Sequence, residues 1–67
     1  MKTSINGTFM YKEVIVYLKD GTKDFIDPVN SEEDVKYYDD VIVISNGYND
    51  YEYNRNKVDK IEIIDVV

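Results

Sequence analysis

Apolar positions along this chain come in short β-branched runs bounded by Gly, Pro, Asn and Asp, which is a strand pattern and not the 3.6-residue repeat of a helix. Residues 11–18 read Tyr-Lys-Glu-Val-Ile-Val-Tyr-Leu, then Lys19-Asp20-Gly21-Thr22, then Lys23-Asp24-Phe25-Ile26. Asp-Gly between two such runs predicts a hairpin with a two-residue type I′ loop, because both residues tolerate positive φ. That loop sets Val16 opposite Phe25 and Ile15 opposite Ile26. Val14, Val16, Leu18 and Phe25 are then expected on one face, and Ile15, Tyr17 and Ile26 on the other. Apolar groups on both faces imply that the second face is also covered, by the rest of the chain or by a partner. Asp27-Pro28 is expected to end the strand, since proline cannot donate to a ladder.

Asn30-Ser31-Glu32-Glu33-Asp34 carries the signature of a helix start, with Asn30 as cap, Glu33 three residues on, and acids at the positive end of the dipole. A short helix or helical turn is predicted within residues 31–38. Val41-Ile42-Val43-Ile44-Ser45 reads as a buried-type strand, and Asn46-Gly47 as a second hairpin signal. The returning strand is expected near residues 51–54 in one of two registers. A two-residue loop puts Tyr51 opposite Ile42; a five-residue loop puts it opposite Ser45. Arg55-Asn56-Lys57 turns the chain, and residues 58–66 form a last strand. The segment before Tyr11 is a further strand candidate, interrupted by Asn6-Gly7. Tyr11-Lys12-Glu13-Val14-Ile15-Val16 is echoed by Tyr38-Asp39-Asp40-Val41-Ile42-Val43, which is read as shared strand chemistry.

Composition agrees with the pattern. In 67 residues there is no Ala, Gln, Trp or His and a single Leu, against nine Val, eight Ile and seven Tyr. The apolar helix formers Ala and Leu are nearly missing, and β-branched and aromatic residues that favour a pleated surface fill the core positions. The expectation is one domain, mainly β: a small antiparallel sheet or partly open barrel of four to five strands built from two hairpins, with one short helix or helical turn. A core this small offsets chain entropy narrowly, and with no Cys no disulfide supports it. Self-association through an exposed strand edge, as a homodimer, is therefore a reasonable expectation. The absence of Cys, of a long apolar run and of a secretory pattern near Met1 is consistent with a cytoplasmic protein.

Chemistry for catalysis is missing. Without His or Cys there is no near-neutral base and no thiolate nucleophile. Ser4, Ser31 and Ser45 sit in terminus, cap or turn contexts, and a chain this short is hardly expected to build a substrate cleft around two carboxylates. The three glycines are isolated turn residues, not a phosphate loop. Asp20-Gly21-Thr22-Lys23-Asp24 lacks the alternating ligands and the closing Glu of a calcium loop, since Ser31 falls at its twelfth position. Asn46, Asn49, Asp50 and Glu52 are read as turn polarity in preference to a cation site. No cofactor or metal is expected.

Charge adds the one feature that points to function. The net charge is −6, but residues 24–52 hold nine acids and one base, Lys36. A merely solubilising surface mixes its signs. The acidic stretch also holds most of the tyrosines, and Tyr provides large contact area at low entropic cost. Carboxylates steer a basic partner and pair with its Arg or Lys, while rings add cation–π contact. Acids on a rigid surface can also imitate duplex DNA, which presents about one negative charge per 1.7 Å. The candidate partner-binding set is Glu32, Glu33, Asp34, Tyr37, Tyr38, Asp39, Asp40, Tyr48, Asp50, Tyr51, Glu52 and Tyr53. Direct nucleic-acid binding is disfavoured because bases are not clustered. The small size, acidity, β-richness, abundant Tyr and Asn, and lack of catalytic residues resemble the small phage- or prophage-encoded inhibitors of bacterial defence systems, including anti-CRISPR and anti-restriction proteins. The resemblance is one of style over the whole chain and implies a stoichiometric blocker of a nucleic-acid-binding enzyme. Two other readings stand beside it: an assembly module acting as a homo-oligomer, and a small-ligand sponge.

Overall fold

The computed structural model describes residues 11–66. Six strands form two three-stranded antiparallel sheets: β1 (Tyr11–Leu18), β2 (Lys23–Val29), β3 (Val35–Tyr37), β4 (Val41–Ser45), β5 (Asp50–Asn54) and β6 (Val58–Val66). Sheet A has the order β2-β1-β6, and sheet B the order β3-β4-β5. The chain passes between the sheets twice, each time through a single 3-10 turn, at Glu32–Asp34 and at Arg55–Lys57. The architecture is mainly β, as expected. Among the described residues it has six strands and not four to five, they lie in two sheets, and neither sheet closes into a barrel. The possible strand before Tyr11 lies outside the described residues.

One core joins the sheets. Val14, Val16, Ile26 and Val29 of sheet A meet Val35, Ile42 and Ile44 of sheet B, with Leu18, Tyr53, Val58, Ile61 and Ile63 packed around them. Val14, Val16, Val29 and Ile44 are the largest side chains to be wholly buried. Each contributes roughly 1.5–3 kcal/mol by leaving water. The two echoed segments each contribute the central strand of a sheet, but with opposite phase. Val14 and Val16 point into the core from β1, whereas in β4 it is Ile42, between Val41 and Val43, that does so.

The first hairpin is one residue out of the expected register. Ile15 pairs with Phe25 and Val14 with Ile26. The loop has three residues, Lys19-Asp20-Gly21, closed by Leu18 N–H donating to Thr22 O at 2.9 Å and Gly21 N–H donating to Leu18 O at 3.0 Å. A type I′ turn needs positive φ at Asp20 as well as at Gly21, but only Gly21 has it, at +95°. Asp20 instead uses its carboxylate to accept from Thr22 N–H at 2.9 Å and from the Thr22 hydroxyl at 2.6 Å. These bonds hold its pKa below the ordinary carboxylate value. The result is a turn followed by a glycine in the left-handed region, the common three-residue hairpin. A slip of one residue exchanges the faces. Ile26 goes into the core, and Phe25 is 59% exposed beside Ile15.

Pro28 does not end β2. The strand continues to Val29 across a cis Asp27-Pro28 bond. Between the Val14–Ile26 and Lys12–Val29 pairs, Asp27 and Pro28 oppose Glu13 alone, which is a β-bulge. Because β2 is an edge strand, the missing N–H of Pro28 breaks no interior ladder.

Of the expected short helix or helical turn, the turn is what forms, as the 3-10 turn Glu32–Asp34, and Val35–Tyr37 becomes β3. The cap is Ser31 and not Asn30, its hydroxyl accepting from Glu33 N–H at 3.1 Å. Val35 and the two tyrosines after it are poor material for a second helical turn, and pairing Val35 with Ile44 buries it fully enough to decide the matter.

Candidate functional site

Sheet B carries the candidate residues, and its register decides where each one points. Tyr51 faces Ile44 and Tyr53 faces Ile42, which is neither of the two registers expected from sequence. The turn is displaced by one residue along the chain. Asn46 N–H donates to Asn49 O at 3.2 Å, and Gly47 alone has positive φ, at +90°, as at the first central position of a type II′ turn. Asn46 therefore does not enter the turn with Gly47. Its side-chain oxygen accepts from Tyr48 N–H at 2.9 Å and from Asn49 N–H at 2.8 Å, holding the loop from below.

This register places Val35, Ile42, Ile44, Tyr51 and Tyr53, together with Tyr37, on the core side of sheet B. Lys36, Val43, Asp50 and Glu52 take the outer side. Tyr53 is turned inward and half-buried. Its hydroxyl donates to Asp24 Oδ2 at 3.0 Å. Burial, and then this bond to a carboxylate, push its pKa up to about 12. Tyr53 thus ties the two sheets together and is not an outward ring. Tyr37 and Tyr51 lie on the margin of the inner face and remain exposed, as does Tyr38. Tyr48, at the turn tip, is 86% exposed.

The acids do not gather in one patch. Asp50 is opposite Ser45 at one end of β4, and Glu32–Asp34 lead directly into Val35, which pairs with Ile44 at that same end. Asp39 and Asp40 form the β3–β4 turn at the other end, closed by Tyr38 N–H donating to Val41 O at 2.9 Å. The length of β4, roughly 13 Å, separates the two groups. Glu52 lies between them on the outer face, in the same cross-strand row as Lys36 and Val43. One end therefore assembles Glu32, Glu33, Asp34, Tyr48, Asp50 and Tyr51. The other assembles Tyr37, Tyr38, Asp39 and Asp40.

The second end contains a cation, Arg55, that the sequence marks only as part of a turn. Arg55 donates from Nη1 to Tyr38 O at 2.6 Å and from its main-chain N–H to Asp40 O at 3.0 Å. Its guanidinium lies 5.8 Å from the centre of the Tyr37 ring. The turn that carries Asp39 and Asp40 is thus braced by Arg55. No local sequence signal marks this role, because Arg55 reaches the turn only through the β4–β5 register.

A cleft of about 560 Å³ opens beside the candidate set, with Leu18 and Tyr53 in its lining and Glu52, Asn54, Lys19 and Lys57 around them. Lys19 N–H donates to Lys57 O at 2.9 Å, so two lysines far apart in sequence adjoin there. Among the described residues, no group of three or more acids is placed to hold a metal ion. No helix among them is long and apolar enough to cross a membrane. No family model, curated protein or solved structure matches the chain.

Proposed function

We propose that the protein is a non-catalytic binding protein that engages a basic protein partner through the Tyr48 end of sheet B and blocks the surface it covers. The observation that carries this reading is the pairing of Tyr48, 86% exposed on a turn fixed by two bonds to Asn46, with the acids at the same end of the sheet. A large ring held by rigid main chain meets a partner with little loss of freedom. Glu32 and Glu33, exposed in a capped 3-10 turn, and Asp50 across β4 supply the charge that attracts Arg and Lys. The other end contributes less, because Arg55 already engages it, bonded to Tyr38 O and lying 5.8 Å from the centre of the Tyr37 ring. A surface that binds nucleic acid is the kind of basic target this chemistry fits, in the manner of a phage-encoded inhibitor.

The test starts from the partner that the wild-type protein captures from its natural host, purified and then titrated. Tyr48→Ala and the triple variant Glu32→Gln/Glu33→Gln/Asp50→Asn are expected to weaken binding about tenfold or more, and added salt to slow association. Asp39→Asn/Asp40→Asn is expected to change little. Full binding by the Tyr48→Ala and triple variants removes this end of the sheet as the docking surface.

A further inference from the structure

The four sheet edges differ in what they permit. β2 is bulged and carries Pro28. β3 has three residues. β5 has five residues and offers Asp50 and Glu52 with no base, so no pairing of two β5 copies gains a charge pair within the strand. β6 is different. It has nine residues, its ladder to β1 is regular from Val66 to Lys60, and among the described residues β1 is the only strand that pairs with it. Its sequence, Val-Asp-Lys-Ile-Glu-Ile-Ile-Asp-Val, contains no proline or glycine and carries both signs of charge. Such an edge is a template for another strand unless something blocks it.

Self-complementarity selects one arrangement. Two antiparallel copies of β6 related by a two-fold axis must place each residue opposite one of the same sequence parity. An axis through Glu62 sets Glu62 against itself and Asp59 against Asp65. An axis through Lys60 or Asp59 sets that residue against its own copy. An axis through Ile63 opposes Lys60 to Val66 and Asp65 to Ile61, with no charge pair. An axis through Ile61 opposes Lys60 to Glu62 twice, Ile61 to itself and Val58 to Ile64, with no like-charge pair. Within one copy, Tyr17 already orients both charges. Its hydroxyl donates to Glu62 Oε1 at 2.7 Å, and Lys60 Nζ lies 4.7 Å from the centre of its ring. The two groups that must meet the second copy are therefore partly ordered before it arrives.

We propose that β6 is a homodimerisation edge, with a second copy of this chain pairing antiparallel about Ile61 so that sheet A continues across the two-fold as a six-stranded sheet. This uses a surface other than the Tyr48 end of sheet B and stands whether or not that end binds a partner. The occupant is a second copy because the edge is complementary in charge to itself and because a single small core gains from the association.

Sedimentation velocity on the full chain over a concentration series tests the idea, with circular dichroism to show that each variant keeps its strands. Wild type is expected to dimerise. Lys60→Glu and Glu62→Lys, each of which creates two like-charge pairs, are expected to weaken the dimer about tenfold or more. The double swap Lys60→Glu/Glu62→Lys is expected to restore it. The chain has no cysteine, so oxidation of Ile61→Cys reports the axis directly and does not depend on the charge variants. Ile61→Cys is expected to form a covalent dimer and Ile63→Cys is not. A wild type that stays monomeric throughout, single variants that dimerise as well as wild type, or Ile63→Cys cross-linking as readily as Ile61→Cys each overturns the proposal.

Discussion

The Tyr53 hydroxyl on β5 donates to Asp24 Oδ2 on β2 at 3.0 Å, a side-chain hydrogen bond that spans the two sheets. Tyr53→Phe keeps the ring in the core margin and removes only the bond. Stability in urea is expected to fall by about 1 kcal/mol. The same bond and the burial of the ring raise the Tyr53 pKa from an ordinary 10.0 to about 12. Because the folded value lies above the unfolded one, the contribution is complete below pH 10 and is lost as pH rises towards 12. An absorbance titration of the phenols is expected to show a late step that is absent in Tyr53→Phe. The variant is also expected to lose less stability than wild type across that window.

The phase of β4 can be read by mutation. Ile44 is fully buried and Val43 faces outward. Ile44→Val is expected to cost about 0.5–1.5 kcal/mol, and Val43→Thr to stay within about 0.5 kcal/mol. Equal costs in denaturant unfolding would contradict the register that places every tyrosine of β5.

Gly21 and Gly47 have φ of +95° and +90°, and a Cβ on either meets nothing within 4 Å. The cost of Gly→Ala is thus one of backbone conformation alone. Gly21→Ala is expected to lower stability by about 1–2 kcal/mol, and Gly21→Asn by less, since Asn tolerates the left-handed region. Thermal unfolding of the two variants side by side makes the comparison.

Arg55→Lys keeps the charge but loses the planar fork over Tyr37 and the bond to Tyr38 O. The β3–β4 turn is expected to loosen, with faster hydrogen exchange at the Tyr38 amide that closes it and a loss of about 1 kcal/mol. Tyr48 and its Asn46-held turn, at the opposite end of the sheet, are expected to show unchanged exchange.

Much of the strand content was legible in the sequence. The runs at residues 11–18, 41–45 and 58–66 are the observed β1, β4 and β6, because Val, Ile and Tyr have no better use than a pleated, half-buried surface. What could not be read was phase. Asp20-Gly21 and Asn46-Gly47 both mark turns correctly, but each turn lies a residue away from the expected one, because Asp20 and Asn46 bond their own neighbours at negative φ. From residue types alone, Phe25 and Ile26 exchange places easily, and so do outward and inward tyrosines. The candidate site follows the same phase: the acids and rings share one sheet, yet Tyr53 serves the core and Arg55 braces one of the two acidic ends. Residues 30–34 mark an acidic turn, but its extent depends on Val35 finding Ile44, a pairing no local rule contains.

The string Val-Ile-Val at residues 14–16 and again at 41–43 carries no mark of which way up it lies, and the molecule uses it both ways. Orientation is dictated from outside the string, by the few atoms that count residues around each bend. One amino acid added at Lys19 or Asn49 would turn a whole row of side chains over while leaving the hydropathy profile almost untouched. In a chain like this, the smallest edits with the largest consequences are length changes in the bends and not exchanges in the interior.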